Sequence, residues 1–294
     1  MAKVTPDMDR PNKFNIESHL KLLVGERNPH TSLEKLHECG KYIANHFKNI
    51  GLSTKNVPVE FEGTLSDNIL GIQPGLDSSS PYFVLGAHYD TVQGSPGADD
   101  NASAVAALLE IARCLSNIPL KSTLIYVGFT LEEYGFIGSK HFVERFSTYG
   151  SGEISGMISL EMLGFKNPSP GSQNYPPYID KTKYPDSGDF IAIVGNEPSQ
   201  KLVSQLMEAM KVASPDLPAE VLVVPGPGDN FEEVRLSDHS PFWDNGHKAV
   251  MVTDTAFFRN PHYHQATDTL ETLDIDFITE VSAGVAEYLK KTLS

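Results

Sequence analysis

The chain has 294 residues, 40% of them apolar, enough to bury a large α/β core. Against 38 Asp and Glu it sets 23 Lys and Arg, a formal charge of −15, which excludes nucleic acid and anionic membrane as partners because phosphate contacts need clustered cations. Its two cysteines, Cys39 and Cys114, have no Cys-x-x-Cys spacing and give neither a disulfide framework nor a thiolate metal site.

The first eleven residues lack the continuous apolar core of a secretory signal, and no later run approaches the ~18 residues of a membrane span. As written, the chain is expected to be cytoplasmic, or secreted or periplasmic if a leader has been removed. Residues 1–294 are read as a single domain. Residues 14–23 and 32–50 carry apolar positions at helical spacing, the second run closed by Gly51 as a C-cap, and predict two outer helices. Strand candidates at 57–61 and 68–72 flank a turn containing Gly63 and predict a hairpin at a sheet edge.

The apolar run 82–85 stops at Gly86, the pattern of a strand buried on both faces, and delivers His88 to a strand end. Residues two apart on an extended segment point the same way. Asp90 can therefore accept one ring N–H of His88 and leave the other nitrogen free as a ligand. A glycine-containing loop then brings Asp99 and Asp100 to the start of a helix over about 102–116, where negative groups are favoured. The ordinary alternative for this stretch is a core histidine and an N-cap aspartate.

Residues 123–129 make the next buried strand and complete a βαβ unit with a parallel pair. That strand leads into Glu132 and Glu133, at the end where open α/β sheets place ligands; alone, such a pair is commonplace on surface loops. A helix over 139–146 and a strand over 156–160 follow, and Glu161 is a third strand-end acid. Between Gly164 and Gly188 the composition shifts to Pro, Ser, Asn and Tyr, as expected of a long irregular pocket wall. A strand at 190–195, a helix at 199–212 and a strand at 220–224 precede the segment 235–243, which opens a short helix closed by Gly246. Within it Asp238 and His239 are read as pocket residues or as caps of that helix, and Trp243 as core. The last buried strand is 249–253. Beyond it His262 and His264, in a His-x-His spacing that faces both one way, offer a second histidine ligand before a final amphipathic helix over about 276–293.

The strand-end groups are thus His88, Asp90, Asp100, Glu132, Glu133, Glu161 and one of His262 or His264. Five carboxylates in one crevice cannot all stay ionised unless cations neutralise them, so the set implies bound metal. Imidazole and carboxylate donors without thiolate suit zinc, with Mn2+ or Co2+ as alternatives. Two histidines and three acids suffice for two ions sharing one acid with a water between them, which leaves one glutamate to act as base.

In chain order, His88-x-Asp90, Gly97-Ala98-Asp99-Asp100-Asn101, Glu132-Glu133, Glu161 after an apolar strand, and Tyr263-His264 followed by Asp268-Thr269 resemble the co-catalytic di-zinc aminopeptidases of the bacterial leucyl type. Glutamate carboxypeptidases and glutaminyl cyclases are relatives of that family. The match runs from about Tyr82 to Thr269 with all five ligand positions in order. The resemblance implies the zinc-peptidase (phosphorylase/hydrolase-like) fold, a three-layer α/β/α arrangement around a central, mostly parallel mixed twisted sheet, and peptide substrates with a free N-terminus. It further implies that His88, Asp100 and Glu161 hold one Zn2+ and Asp100, Glu133 and His264 the other, two per chain. Asp90 would orient His88, Glu132 would serve as general base, Tyr263 would help stabilise the oxyanion, and the bond from Asp100 to Asn101 would be cis.

Two positions depart from the pattern. Glu161 stands where many aminopeptidases of the family carry Asp, and Leu236 stands where an arginine often precedes Ser-Asp-His, with Arg235 one residue earlier. The competing expectations are a glutaminyl-peptide cyclotransferase with a single zinc, and a non-catalytic binding domain on the same frame. Retention of both histidines and of the Glu-Glu pair favours hydrolysis over either.

Overall fold

The computed structural model describes residues 10–294, so nearly all of the opening segment read above for a signal lies outside the described residues. Helices α1 (Lys13–Leu23) and α2 (Leu33–Asn49) come first. In α2 the residues Leu36, Cys39, Ile43, Ala44 and Phe47 recur three or four apart and are buried, the stripe that turns a helix onto a core. The hairpin β1 (Ser53–Phe61) and β2 (Thr64–Gln73) is longer than its apolar centres suggested. Gly71 of β2 has no side chain because the Phe47 ring fills that space: a Cβ there would lie 2.7 Å from the ring.

The chain continues through β3 (Tyr82–His88), α3 (Ala104–Leu115), β4 (Leu124–Phe129), α4 (Ile137–Glu144) and β5 (Ile154–Glu161). It closes with β6 (Ile191–Asn196), α5 (Gln200–Ala213), β7 (Ala219–Val224), α6 (Ser240–Asp244), β8 (Ala249–Thr253) and α7 (Ile275–Leu293). All eight strands join one sheet in the order β1-β2-β4-β3-β5-β8-β6-β7. The four central strands β4, β3, β5 and β8 run parallel, while β2 is antiparallel to β4 and β6 is antiparallel to β8. The sheet is therefore mixed with a parallel centre, as expected.

Alternation along β4 assigns the layers. Leu124 and Tyr126 point into the larger core with residues of α1, α2, α3, α5 and α7, whereas Ile125, Val127 and Phe129 point into a second core with residues of α4 and α6. The second layer is the thinner one. Over β6 and β7 its helices are replaced by the irregular segment after Gly164, whose Tyr175 packs on that core. Among the described residues no helix is long and apolar enough to cross a membrane.

The parallel register carries the site. His88 pairs with Phe129 at the end of β4, Gly86 with Ser159 two residues before the end of β5, and Glu161 with Thr253 at the end of β8. Ends of three apolar strands, and the loops that leave them, therefore share one rim of the sheet, where α/β sheets bind ligands.

Candidate metal centre

His88 closes β3 with its ring buried. Its Nε2 lies 3.3 Å from Asp100 Oδ1, 3.5 Å from Glu161 Oε2 and 3.9 Å from Glu132 Oε2. On the other side of Asp100, Oδ2 is 3.2 Å from Nε2 of His264, which also stands 3.1 Å from Glu133 Oε2. Asp100 is thus shared by two triads, His88–Asp100–Glu161 and Asp100–Glu133–His264, each with one ligand atom per residue within 4.8 Å of the others. The donors are imidazole nitrogens and carboxylate oxygens, a set that fits zinc, manganese or cobalt. Cys39 and Cys114 are buried in helices and contribute nothing to it.

Local structure aims these groups. A π-type turn over Ala98–Ser103 leads into α3, and its Asp100–Asn101 peptide is cis, as the resemblance implied. Asn101 then ties the turn to β5, donating Nδ2–H to the Leu160 carbonyl at 3.1 Å and accepting the Met162 N–H at 2.9 Å. Past β4, Leu131 takes a positive φ of 60° and the chain turns, so that Glu132 and Glu133 present their side chains to different parts of the cluster. The Val92 N–H donates to Glu133 Oε1 at 3.2 Å and leaves Oε2 toward His264. Ser237 donates to Glu161 Oε2 at 2.7 Å.

The electrostatics follow from putting four acids and two imidazoles out of water. Burial, helped by the charge of Asp100, pushes Glu133 up to about 7. Glu132 and Glu161 are also driven above the usual carboxylate range by burial. Burial works against a charge on His264, but its bonds to Asp100 and Glu133 outweigh that and lift it to about 10. Asp100 is buried too, yet His264 and His88 hold it below the usual range. Without cations beyond two imidazoles the cluster keeps protons that divalent ions would replace.

Asp90 stands beside His88 as an ion-pair partner, its Oδ1 3.6 Å from Nδ1, just beyond the hydrogen-bond limit. The Asp90 carboxylate also accepts the backbone N–H of Glu132 at 3.0 Å and of Glu133 at 3.2 Å, so it holds the acid-bearing turn. One expectation needs correction: His262 and His264 do not face one way. His264 adopts a positive φ of 57° that swings its ring into the cluster, whereas His262 Nδ1 lies 2.9 Å from Thr267 Oγ1 and its ring packs against Phe165. Tyr263 stacks on His264 with ring centroids 3.8 Å apart and, with Glu161, lines the adjoining cavity.

His239 makes a local contact to the Val234 carbonyl at 2.8 Å and packs edge-on against Trp243, which is core. Neither it nor Asp238 caps α6 by a side chain. Asp238 is fully buried, and burial pushes its carboxyl up to about 7 against the pull of His88. Arg235 is drawn away to Asp229 and Asp244, leaving Leu236 on the cavity wall.

Three contributors were given no role by the sequence: Asp99 and Asp268 stand within the quoted motifs, and Arg27 lies outside them. Asp268 accepts the N–H of Asp99 at 2.8 Å and of Asp100 at 3.1 Å. Asp99 accepts from Gly164 N–H at 2.8 Å and Asn260 Nδ2–H at 2.7 Å and is hydrogen-bonded to Asp254, so burial beside that second acid drives Asp99 well above the carboxylate range. Arg27, buried, donates to the carbonyls of Leu23, Gly25, Tyr89, Pro96 and Gly97 and so pins the loop leading to Asp100. Gly97, at φ 61°, must be glycine there: a Cβ would sit 2.4 Å from the Asp100 carbonyl oxygen and 2.6 Å from the guanidinium. Asp268→Ala is expected to weaken zinc affinity 10- to 100-fold or thereabouts, the usual effect of losing a group that orients a ligand, as read by titration against a competing chelator.

A family model described as Peptidase family M28 matches residues 68–289. The chain is 35% identical over 269 residues to the uncharacterized protein YfbL of Escherichia coli (strain K12), covering 88% of this chain and 81% of that one. It is 29% identical over 251 residues to the probable lipoprotein aminopeptidase LpqL of Mycobacterium tuberculosis (strain ATCC 25618 / H37Rv), where it spans 80% of this chain and 47% of the relative. Among solved structures, the aminopeptidase from Aneurinibacillus sp. strain AM-1 superimposes with a TM-score of 0.72 at 16% identity, covering 98% of this chain and 95% of that one. The glutaminyl cyclase of Porphyromonas gingivalis gives a TM-score of 0.72 at 19% identity, with 96% and 99% covered. Both share the fold described above.

Proposed function

The chain belongs to peptidase family M28, and from that premise we propose that it is a two-zinc aminopeptidase, a single catalytic domain that removes the N-terminal residue from peptides. The observation that carries this reading is the pair of three-ligand sets meeting at Asp100, with Glu132 beside them and in neither. His88, Asp100 and Glu161 would hold one ion and Asp100, Glu133 and His264 the other. When bound, such ions lower the pKa of water and polarise a carbonyl.

The protein's own groups supply the rest. Glu132 accepts the proton of the attacking water and delivers it to the leaving nitrogen, a role suited to a carboxyl that burial holds well above the usual carboxylate range. Asp90 keeps Glu132 and Glu133 in place through their backbone N–H groups. The Tyr263 hydroxyl, at the cavity edge, donates to the oxyanion that develops on the scissile carbonyl. The acid-rich rim, Glu161 foremost, attracts the free α-ammonium of the substrate. A cyclase on the same frame would work with one zinc; two complete ligand sets favour hydrolysis.

The test is a panel of aminoacyl chromogenic amides run with metal analysis. Two zinc ions per chain, chromophore release, loss of activity on chelation and its return with zinc are expected. One zinc per chain together with cyclisation of N-terminal glutamine would overturn the reading.

A further inference from the structure

Beside the acid cluster lies an open cavity of about 830 Å3, its solvent-filled mouth included. Strand register lays out its floor. Glu161 pairs with Thr253, Thr253 with Ala192, and Ala192 with Glu220, in a straight row across β5, β8, β6 and β7. Register partners on neighbouring strands share a face of the sheet, so Glu161 and Glu220 stand on the same side with two small residues between them. Three interstrand steps separate them by about 14 Å. The next row on that face, Met251, Val194 and Leu222, is apolar.

The far end of this floor is negative and unneutralised. Glu220 is half-buried near Tyr175 and Tyr184. Those two hydroxyls are already spent, on the carbonyls of Pro185 and Val221. No described residue gives the Glu220 carboxylate a hydrogen bond or an ion pair within contact distance; Lys211 acts on it only at longer range. The half-buried Glu233 also lines the cavity, and no Lys, Arg or His does. The nearby Arg259 is not on the cavity lining: it lies over the Phe190 ring, its Nε bonded to Gln173 and Thr255 and its Nη1 to the Phe190 carbonyl, with Nη2 buried and without a hydrogen-bond partner among the described residues.

We infer that Glu220 selects substrates whose N-terminal residue is arginine or lysine. With the α-amine at the Glu161 end, the aliphatic stem of such a side chain lies across Thr253 and Ala192 and its cationic head meets Glu220. A leucine side chain is too short to span the row, and an N-terminal Asp or Glu meets like charge at Glu220 and Glu233. This inference rests on the aminopeptidase reading of the site, and on the floor geometry for its specificity.

The test compares kcat/KM for arginine, citrulline, lysine, norleucine and leucine p-nitroanilides in the zinc-loaded protein. Citrulline keeps the shape of arginine without its charge. The expected arginine-to-citrulline ratio is about 10 or more, the size of one charge-assisted hydrogen bond out of bulk water, and Glu220→Gln collapses that ratio toward one, chiefly through KM. A ratio near one in the unaltered protein, or an equal loss on arginine and leucine in Glu220→Gln, would overturn the inference while leaving aminopeptidase activity intact. If no amide is cleaved the functional reading fails, and calorimetric binding of L-argininamide against L-citrullinamide to the same zinc-loaded protein then decides: equal affinities overturn the Glu220 assignment, tighter argininamide binding lost in Glu220→Gln supports it.

Discussion

Glu132→Gln is expected to keep its zinc and lose activity by about 100- to 10,000-fold in kcat, the range a positioned general base supplies. The substitution is isosteric and removes only the ability to take a proton. Glu132 belongs to neither ligand set, and its backbone N–H, which Asp90 holds at 3.0 Å, is untouched. The contrast is Glu133→Ala one residue on, which deletes a ligand atom 3.1 Å from His264 and is expected to release zinc. Adjacent residues thus separate chemistry from metal binding. Metal content and single-turnover rate measured on both variants read this directly, and equal zinc loss in the two would mean that the base and the ligand have been misassigned.

Chelation should lower the melting temperature by roughly 4–7 °C for each ion lost. An ion that binds the folded rim and not the unfolded chain stabilises it by about 2.7–4.1 kcal/mol at 100 to 1,000 times its dissociation constant, and each kcal/mol moves the midpoint of a chain of this size by about 1.6 °C. The physical source is the crowd of Asp100, Glu132, Glu133 and Glu161, all at most a tenth exposed at their side chains, which the two histidines only partly neutralise. Asp100→Ala removes the ligand common to both sets, so its melting temperature is expected to be low and indifferent to chelator. Differential scanning calorimetry with and without chelator, on both proteins, gives the comparison. An unchanged midpoint in the unaltered protein would remove the crowded-acid argument for bound metal.

The residues that a strand end delivers were legible because the signal is local. An apolar run stopping at Gly86 marks where β3 hands over to His88, and the runs before Glu132 and Glu161 do the same, since an apolar strand and the polar group that ends it are written in the same few residues. The irregular stretch after Gly164 could likewise be read as a pocket wall, and it does cover β6 and β7 where the second helical layer is thin.

Other features waited on the tertiary structure. His262 and His264 are equivalent by spacing, and only a left-handed backbone at His264 separates ligand from bystander. Asp268 grips a turn 168 residues away, and Arg27 gathers carbonyls up to 70 residues distant, through bonds to backbone groups that every residue carries and no motif records. The row from Glu161 to Glu220 exists because β8 and β6 lie between β5 and β7. What the sequence by itself determined was the set of elements and the groups at their ends, which depend on neighbours in the chain; the order of strands and the bonds between loops depend on segments that meet only when the sheet closes its register.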